Sequence, residues 1–380
     1  MAPRLHLLDT TLFFSPTSGG VRRYLLSKHA WLGRHGALTH TLVVPGPTTK
    51  GTVGDVIEFA SPRIPFGAGY RCPWRLAGLR GLLAEIEPDL IEAGDPYHVG
   101  WQAAWVANSL GIVSVAFCHS DFVGLLANRL GRLTGQVAAH YLRALYSRFD
   151  LVLAPSRIVA ERLDASGISR VEVQPLGVDG GIFHPGRADH ALRASLGLSP
   201  GTRLLTFAGR LAPEKNVRDL YAMVEHLGHP YHLLVIGGAH AARPSARITV
   251  LPYQREPDRL AAWLASSDVI VHAGRRETFG LVALEAMACA RPVVVYGAGA
   301  LPEIVDSRVG QVAPDRGPQA LAAAVEDVFA RDPCALGVVA RRRVLERYTW
   351  ERIFNQELRH YAALVNRPSL LRDDVELQTA

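Results

Sequence analysis

The feature that most narrows the fold is an alternation of short apolar runs with longer helical ones. Apolar runs rich in β-branched residues fall at 5–9, 39–44, 89–92, 113–118, 151–154 and 171–174. Amphipathic stretches at 21–34, 74–87 and 158–166 lie among them. A strand that is apolar throughout, rather than at every second residue, has to be covered on both faces. Such strands joined by helices build a parallel sheet between two helical layers. The pattern then restarts. Strand-like runs recur at 203–208, 232–236, 247–251, 268–272 and 292–296, with helices at 212–227, 257–265 and 279–288 among the connections. The join lies near Pro175-Leu176-Gly177-Val178-Asp179-Gly180-Gly181-Ile182-Phe183-His184-Pro185-Gly186, a linker by its glycine and proline. The expectation is an α/β chain of two doubly wound, Rossmann-like parallel-sheet domains facing across a cleft. Ligands in such sheets bind beyond the carboxyl ends of the strands.

Composition excludes several classes. With 380 residues, 48% hydrophobic and 20% charged, the chain can bury two cores and is not a disordered tract. No uncharged apolar run approaches the ~18 residues of a membrane span. The opening Met1-Ala2-Pro3-Arg4-Leu5 runs straight into a strand and lacks the apolar stretch of a secretory signal. Cys72, Cys118, Cys289 and Cys334 are scattered without metal-ligand spacing, which reads as buried free thiols in a reducing cytoplasm. A net charge of +6 suits an anionic ligand or an anionic membrane surface, or nothing in particular. Nucleic acid is a poor partner, since zinc-finger spacing, an RNA-binding aromatic signature and a dense basic block are all missing.

Four places carry chemistry. Ser18-Gly19-Gly20 follows the first strand and precedes a helix. Glycine admits close backbone approach, and a helix N-terminus offers free N–H groups to phosphate, although an ordinary βα turn reads the same way. Gly209-Arg210-Leu211-Ala212-Pro213-Glu214-Lys215 follows a strand and opens a helix. Arg210 and Lys215 there could clamp a diphosphate, or form a solvated basic loop. Glu277-Thr278-Phe279-Gly280-Leu281 opens a helix with Glu277 ahead of it, and its free amides suit phosphate or sugar oxygens. Glu285 lies two turns on among Leu284, Ala286 and Met287. A carboxylate there needs a partner, either two ribose hydroxyls or an arginine. His119 ends the strand at 113–118, where it can donate to a phosphate or sugar hydroxyl, or serve as a structural loop histidine.

Taken together these segments resemble family 4 of the retaining glycosyltransferases, which have the GT-B fold. The resemblance runs over nearly the whole chain. It rests on Gly19-Gly20, the Leu176-Gly177-Val178-Asp179 linker, Gly209-Arg210 to Lys215, and Glu277-x7-Glu285 extended by Ala286-Met287-Ala288 and Pro292-Val293-Val294. Ser18-Gly19-Gly20-Val21-Arg22-Arg23 and the linker are most similar to the subgroup holding the bacterial phosphatidylinositol mannosyltransferases.

The resemblance implies a hexosyltransferase that keeps the donor's anomeric configuration and needs no divalent metal or other cofactor. Its substrate would be a nucleotide-diphosphate sugar, GDP-mannose ahead of a UDP-sugar, and its acceptor a hydroxyl of a glycan, glycolipid or small molecule. Residues 1–178 would be the acceptor-side domain and 179–348 the nucleotide-sugar domain. Residues 349–365 would be a C-terminal helix that can return to the first domain, and 366–380 a tail. Arg210 and Lys215 would hold the diphosphate, which Gly19, Gly20 and Gly209 approach. Glu277 would hold the donor sugar, with Thr278 beside it and Phe279, Gly280 and Leu281 supplying amides. Glu285 would hold the ribose, and Leu251, Tyr253 and Gln254 would lie near the base. His119 would touch the transferring sugar or the acceptor. Arg291 before Pro292, and Leu251-Pro252-Tyr253-Gln254 without the usual glycine, depart from the family pattern and bear on base identity. Other enzymes of the same architecture, an epimerase or a phosphorylase, are the alternative, as is a non-catalytic nucleotide-sugar binder. The expected place is the cytoplasm, with peripheral contact at the inner face of the membrane as an option. The motive for that option is the segment 122–149, which carries Arg129, Arg132, Arg143 and Arg148 and no acidic residue.

Overall fold

The computed structural model describes residues 4–366 apart from 16–18, 37, 66–68 and 315–316, together with Leu370. Ser18 and all of the expected tail except Asn366 and Leu370 therefore lie outside the described residues. The chain divides into two compact units, one of Met1–Pro175 with Trp350–Ala380, the other of Leu176–Thr349.

The first unit is built on seven strands, β1 (Leu5–Thr10), β2 (Leu38–Gly46), β3 (Val56–Ala60), β4 (Leu90–Ala93), β5 (Val113–Phe117), β6 (Leu151–Ala154) and β7 (Val171–Val173). They lie in the order β3-β2-β1-β4-β5-β6-β7 and every pairing is parallel. Leu8, Val43, Ile91, Ala116 and Val152 are buried together in one core. The order reverses between β1 and β4, the place where a doubly wound sheet leaves room for a ligand.

A charged hub sits behind that point. Lys28, on the helix Gly20–His35, is 1% exposed. Its Nζ lies 3.0 Å from carboxylate oxygens of Asp9 on β1, Glu92 on β4 and Glu357. It also donates to Tyr361 Oη at 2.7 Å. Asp9 and Glu92 are register partners across β1 and β4. Glu357 and Tyr361 come from the C-terminal helix Trp350–Leu364, which this hub ties to the first unit. Burying a lone ammonium costs several kcal/mol, so the anions are needed. Three anions are too many, and burial pushes Glu92 up to about 8, so that it keeps its proton at neutral pH.

The second unit repeats the plan with β8 (Arg203–Ala208), β9 (Tyr231–Gly238), β10 (Ala242–Ser245), β11 (Ile248–Pro252), β12 (Val269–His272), β13 (Val293–Tyr296) and β14 (Gly310–Ala313). The order is β10-β11-β9-β8-β12-β13-β14, parallel except for the antiparallel edge pair β10–β11. Its reversal lies between β8 and β12. Strands β3, β10 and β14, which the apolar pattern left unassigned, are all at or beside sheet edges, where solvent removes the need for a fully apolar run. Among the described residues no helix is long and apolar enough to cross a membrane. The expectation of buried free thiols is met at Cys118 and Cys289 but not at the exposed Cys334 or the half-buried Cys72.

Candidate functional site

In the second unit the chemistry gathers at the carboxyl ends of β8 and β12. Arg210 and Lys215 leave β8 and Glu277 leaves β12. The expected helix from 212 is interrupted, with a 3-10 turn over Pro213–Lys215 and the α-helix proper over Val217–Leu227. Asn216 makes the break. Its backbone is left-handed (φ 49°, ψ 41°), and its side-chain amide donates to Ala273 O at 3.0 Å, across to the end of β12. Asn tolerates that conformation better than most residues. The break swings Lys215 onto Glu277. Lys215 Nζ donates to Glu277 Oε1 in a contact shielded from solvent, the two side chains being 19% and 15% exposed. Lys215 and the neighbouring His272 hold Glu277 below the usual carboxylate range, more than undoing the upward push of burial. Arg210 contributes more weakly to the same shift. Its side chain is 56% exposed and lies 3.8 Å from Glu214. The loop thus presents one cation already engaged with a carboxylate and a second turned to solvent.

The Glu277 loop is pinned from two sides. Ala300 N donates to Glu277 O at 2.9 Å. Arg275 pairs with Asp219 at 3.1 Å and lies over the Tyr296 ring, whose hydroxyl donates to the same carboxylate at 2.9 Å. The helix after the loop starts later than the apolar pattern suggests. It spans Leu281–Ala288, so Phe279 lies ahead of its first turn and not in it. The reason is Gly280, whose φ of 106° puts it in the left-handed region just before the helix. A side chain there would also strike Leu301. Phe279 is instead buried, edge-on to Tyr348. Glu285 is 1% exposed in the middle of this helix.

Gly209 sits at φ 153°, and a side chain at Gly237 (φ 139°) would fall within 1.8 Å of Gly209 O. The ends of β8 and β9 are therefore pressed together, which only glycine at 237 allows. Leu251 ends in β11, while Tyr253 N donates to Gly238 O at 3.2 Å, so Leu251, Tyr253 and Gln254 lie beside this glycine pair. The second unit thus brings together Arg210, Lys215 and Glu277, with the Gly209–Gly237 contact at the ends of β8 and β9 and residues 251–254 at and just past the end of β11.

The remaining sites belong to the first unit. Gly19 caps the helix Gly20–His35 in an ordinary right-handed conformation (φ −73°, ψ −74°). Gly19 and Gly20 are not among the glycines with a left-handed backbone. His119 follows β5 with its ring stacked on Phe117 (4.1 Å between centroids, 9°) and 5.3 Å from Tyr24. Burial lowers it to about 3, and the Lys28 ammonium adds to the shift, so the ring is neutral and offers a dipole, not a charge. Sequence reasoning passed over His272, Asn216 and the Lys28 hub. Among the described residues no three His, Cys, Asp or Glu side chains gather as a metal site.

Comparison with known proteins supplies the context. Residues 202–331 match the model for "Glycosyl transferases group 1", and residues 18–180 match the model for "Glycosyltransferase Family 4". The chain is 30% identical over 364 residues to a GDP-mannose-dependent alpha-(1-6)-phosphatidylinositol dimannoside mannosyltransferase of Mycobacterium tuberculosis, covering 92% of this chain and 93% of that protein. It is 36% identical over 298 residues to a GDP-mannose-dependent alpha-mannosyltransferase of Mycolicibacterium smegmatis, covering 76% and 77%. In fold it is similar to a sucrose-phosphate synthase of Thermosynechococcus elongatus, with a TM-score of 0.78 at 21% identity over 96% and 100% of the chains. The HepE protein of Anabaena, solved with UDP and glucose, gives a TM-score of 0.74 at 19% identity over 95% and 100%.

Proposed function

The chain belongs to glycosyltransferase family 4 and has the GT-B fold, and from that premise we propose that it is a retaining, metal-independent mannosyltransferase that takes its sugar from GDP-mannose. The observation that carries the reading is the Lys215–Glu277 pair, with Arg210 open beside it, at the ends of β8 and β12. Breaking a sugar–diphosphate bond leaves negative charge on the diphosphate and positive charge on the sugar ring. Fixed cations meet the first and a fixed carboxylate the second, in a partly dry site where such charges act strongly. Arg210 and Lys215 take the place of a divalent cation on the leaving group, and Glu277 holds sugar hydroxyls. Glu285 holds the ribose, and residues 251–254 face the base.

Retention follows from attack on the face the diphosphate leaves, a donor phosphate oxygen accepting the acceptor's proton. Glu277 is engaged with Lys215, which favours a positioning role for it over that of a covalent nucleophile. His119, neutral, donates a hydrogen bond on the acceptor side. The names of the similar proteins favour mannose and a glycolipid acceptor. A lipid-linked acceptor fits a cytoplasmic protein resting on the inner face of a membrane. Leu130, Leu133 and Val137, on the helices Phe122–Leu130 and Arg132–Tyr146, are 67%, 78% and 69% exposed within the stretch that lacks acidic residues.

A thermal-shift panel of GDP, UDP, ADP and their sugars tests the donor. A nucleotide at 100 times its Kd stabilises a folded protein by ~2.7 kcal/mol. GDP and GDP-mannose should raise the melting temperature most. A larger shift with UDP would replace the donor, and no shift with any nucleotide would overturn the reading.

A further inference from the structure

We propose that His272 is a positioning residue that holds the Glu277 carboxylate in place when Lys215 turns to the donor. The inference rests on the reading that Glu277 meets the donor sugar and Lys215 the diphosphate.

His272 closes β12, a strand lying between β8 and β13, and it is buried. Val269, Ile270 and Val271 fill the rest of the strand, so packing alone would be served by another apolar residue. The ring is instead bonded through one nitrogen and faces Glu277 with the other. Gly274 N donates to Nδ1 at 3.0 Å. A nitrogen that accepts from a backbone N–H carries its lone pair, so in the neutral ring the proton is on Nε2. Nε2 lies 3.5 Å from Glu277 Oε1, the same oxygen that Lys215 holds. Burial lowers His272 to about 4 and Lys215 opposes a second cation beside it, while Glu277 only partly offsets them. The ring therefore aims an N–H dipole at the carboxylate and does not compete with Lys215 as counter-ion.

The loop has little freedom around this contact. A side chain at Gly274 would fall 2.5 Å from the His272 ring and 2.9 Å from Glu277 Oε1. Ring, glycine and carboxylate fill one another's space, so the loop from 273 to 277 is folded over the imidazole. Gly299 abuts the Glu277 backbone with a left-handed φ of 65°, and a side chain there would fall 2.9 Å from Glu277 O. The backbone of Glu277 is fixed by residues 299–300, and its side chain by Lys215 and His272. A donor that draws Lys215 to its diphosphate removes one of those two, leaving His272 to keep the carboxylate facing the sugar.

Three variants separate the contacts, assayed on the full chain by turnover of GDP-mannose. His272→Gln can still place an amide N–H where Nε2 was. His272→Asn keeps an acceptor for Gly274 N–H but is too short to reach Glu277. His272→Leu keeps neither. The expected result is that kcat falls about tenfold or more in the Asn and Leu variants and stays within about threefold of normal in the Gln variant. Affinity for GDP, measured by calorimetry, should be unchanged in all three, because GDP carries no sugar. Normal kcat in the Asn variant, or equal losses in Gln and Leu, would overturn the proposal. So would a GDP affinity that falls in step with kcat. Glu277→Gln run alongside separates the two layers. If it is fully active, the site reading fails. If it is inactive while His272→Asn is normal, only the role of His272 fails.

Discussion

Replacing each cation of the proposed diphosphate clamp by alanine should give two different phenotypes, because the structure gives them different surroundings. Arg210 is more than half exposed and 3.8 Å from Glu214. An ion pair of that kind is worth ~0–1 kcal/mol, so Arg210→Ala should melt near the wild-type temperature. Lys215 is the close partner of a carboxylate that is 15% exposed. Removing it leaves Glu277 beside a neutral imidazole, and an uncompensated charge of that kind costs ~3 kcal/mol. For a unit of this size that is a fall in Tm of roughly 6–12 °C. Both variants should lose transfer, by roughly 30- to 1,000-fold if each contact supplies ~2–4 kcal/mol at the transition state. The double variant Lys215→Met with Glu277→Gln removes both charges and should recover most of the lost stability without recovering activity. Differential scanning calorimetry and initial rates with GDP-mannose give the two readouts. Equal Tm losses in Arg210→Ala and Lys215→Ala would refute the distinction between an open and an engaged cation, and near-normal turnover in either would refute the clamp.

Glu285→Gln should weaken GDP and GDP-mannose alike in titration calorimetry, by ~1.5–3 kcal/mol per charge-assisted bond lost, whereas Glu277→Gln should spare GDP; unchanged GDP binding in Glu285→Gln would make Glu285 structural. Turnover should persist in EDTA, and abolition by chelation with rescue by magnesium or manganese would show that protein cations do not replace a metal. His272 is lowered to about 4 from an ordinary 6.5, so the folded state binds fewer protons than the unfolded chain between those values. Its contribution is complete above pH 6.5 and is lost as pH falls towards 4, at up to about 1.4 kcal/mol per pH unit, and His272→Gln should flatten that part of the acid limb in a pH series of denaturant melts. Leu133→Ser combined with Val137→Ser should reduce flotation with anionic phospholipid vesicles while leaving turnover of a soluble acceptor intact, and unchanged flotation would remove this helix face from any membrane contact.

How much of this the sequence disclosed depends on whether a feature is local. Apolar strands and their carboxyl-end loops are local, so Arg210, Lys215 and Glu277 could be put at strand ends before their contacts were known. Breaks set by a single backbone torsion were harder. Asn216 sits inside an amphipathic pattern that continues on either side, and only its left-handed backbone shows that the helix starts after it. Gly280 likewise moves the helix start past Phe279, because a glycine in an apolar run does not announce its φ. The short strand Ala242–Ser245 includes a proline and pairs at one edge only, so no apolar run betrays it. The Lys28 hub is not local at all. Its partners Asp9, Glu92 and Tyr361 lie 19, 64 and 333 residues away. A lysine in an amphipathic helix reads as solvated until the fold brings carboxylates to it.

The two units place a cation–carboxylate cluster at the same topological point, and the contrast between them bears on which half meets the donor. In the first unit Asp9 and Glu92 come from the two strands flanking the reversal, as Lys215 and Glu277 come from the loops flanking it in the second. In the first, the lysine is 1% exposed, ringed by three carboxylates and two tyrosines, and roofed by the C-terminal helix. Every donor hydrogen of that ammonium is spent inside the protein, so it has none to offer a phosphate. Its field still reaches His119, where it helps keep the ring neutral. In the second, the pair keeps part of its surface open and Arg210 stands beside it in solvent. An anion entering there meets one cation with free donors and another held by a single carboxylate, which a diphosphate bearing more charge can outbid. The same reversal of strand order thus holds a sealed charge cluster in one unit and, in the proposed reading, a site open to an anion in the other, and what separates them is whether the charge has been buried to completion.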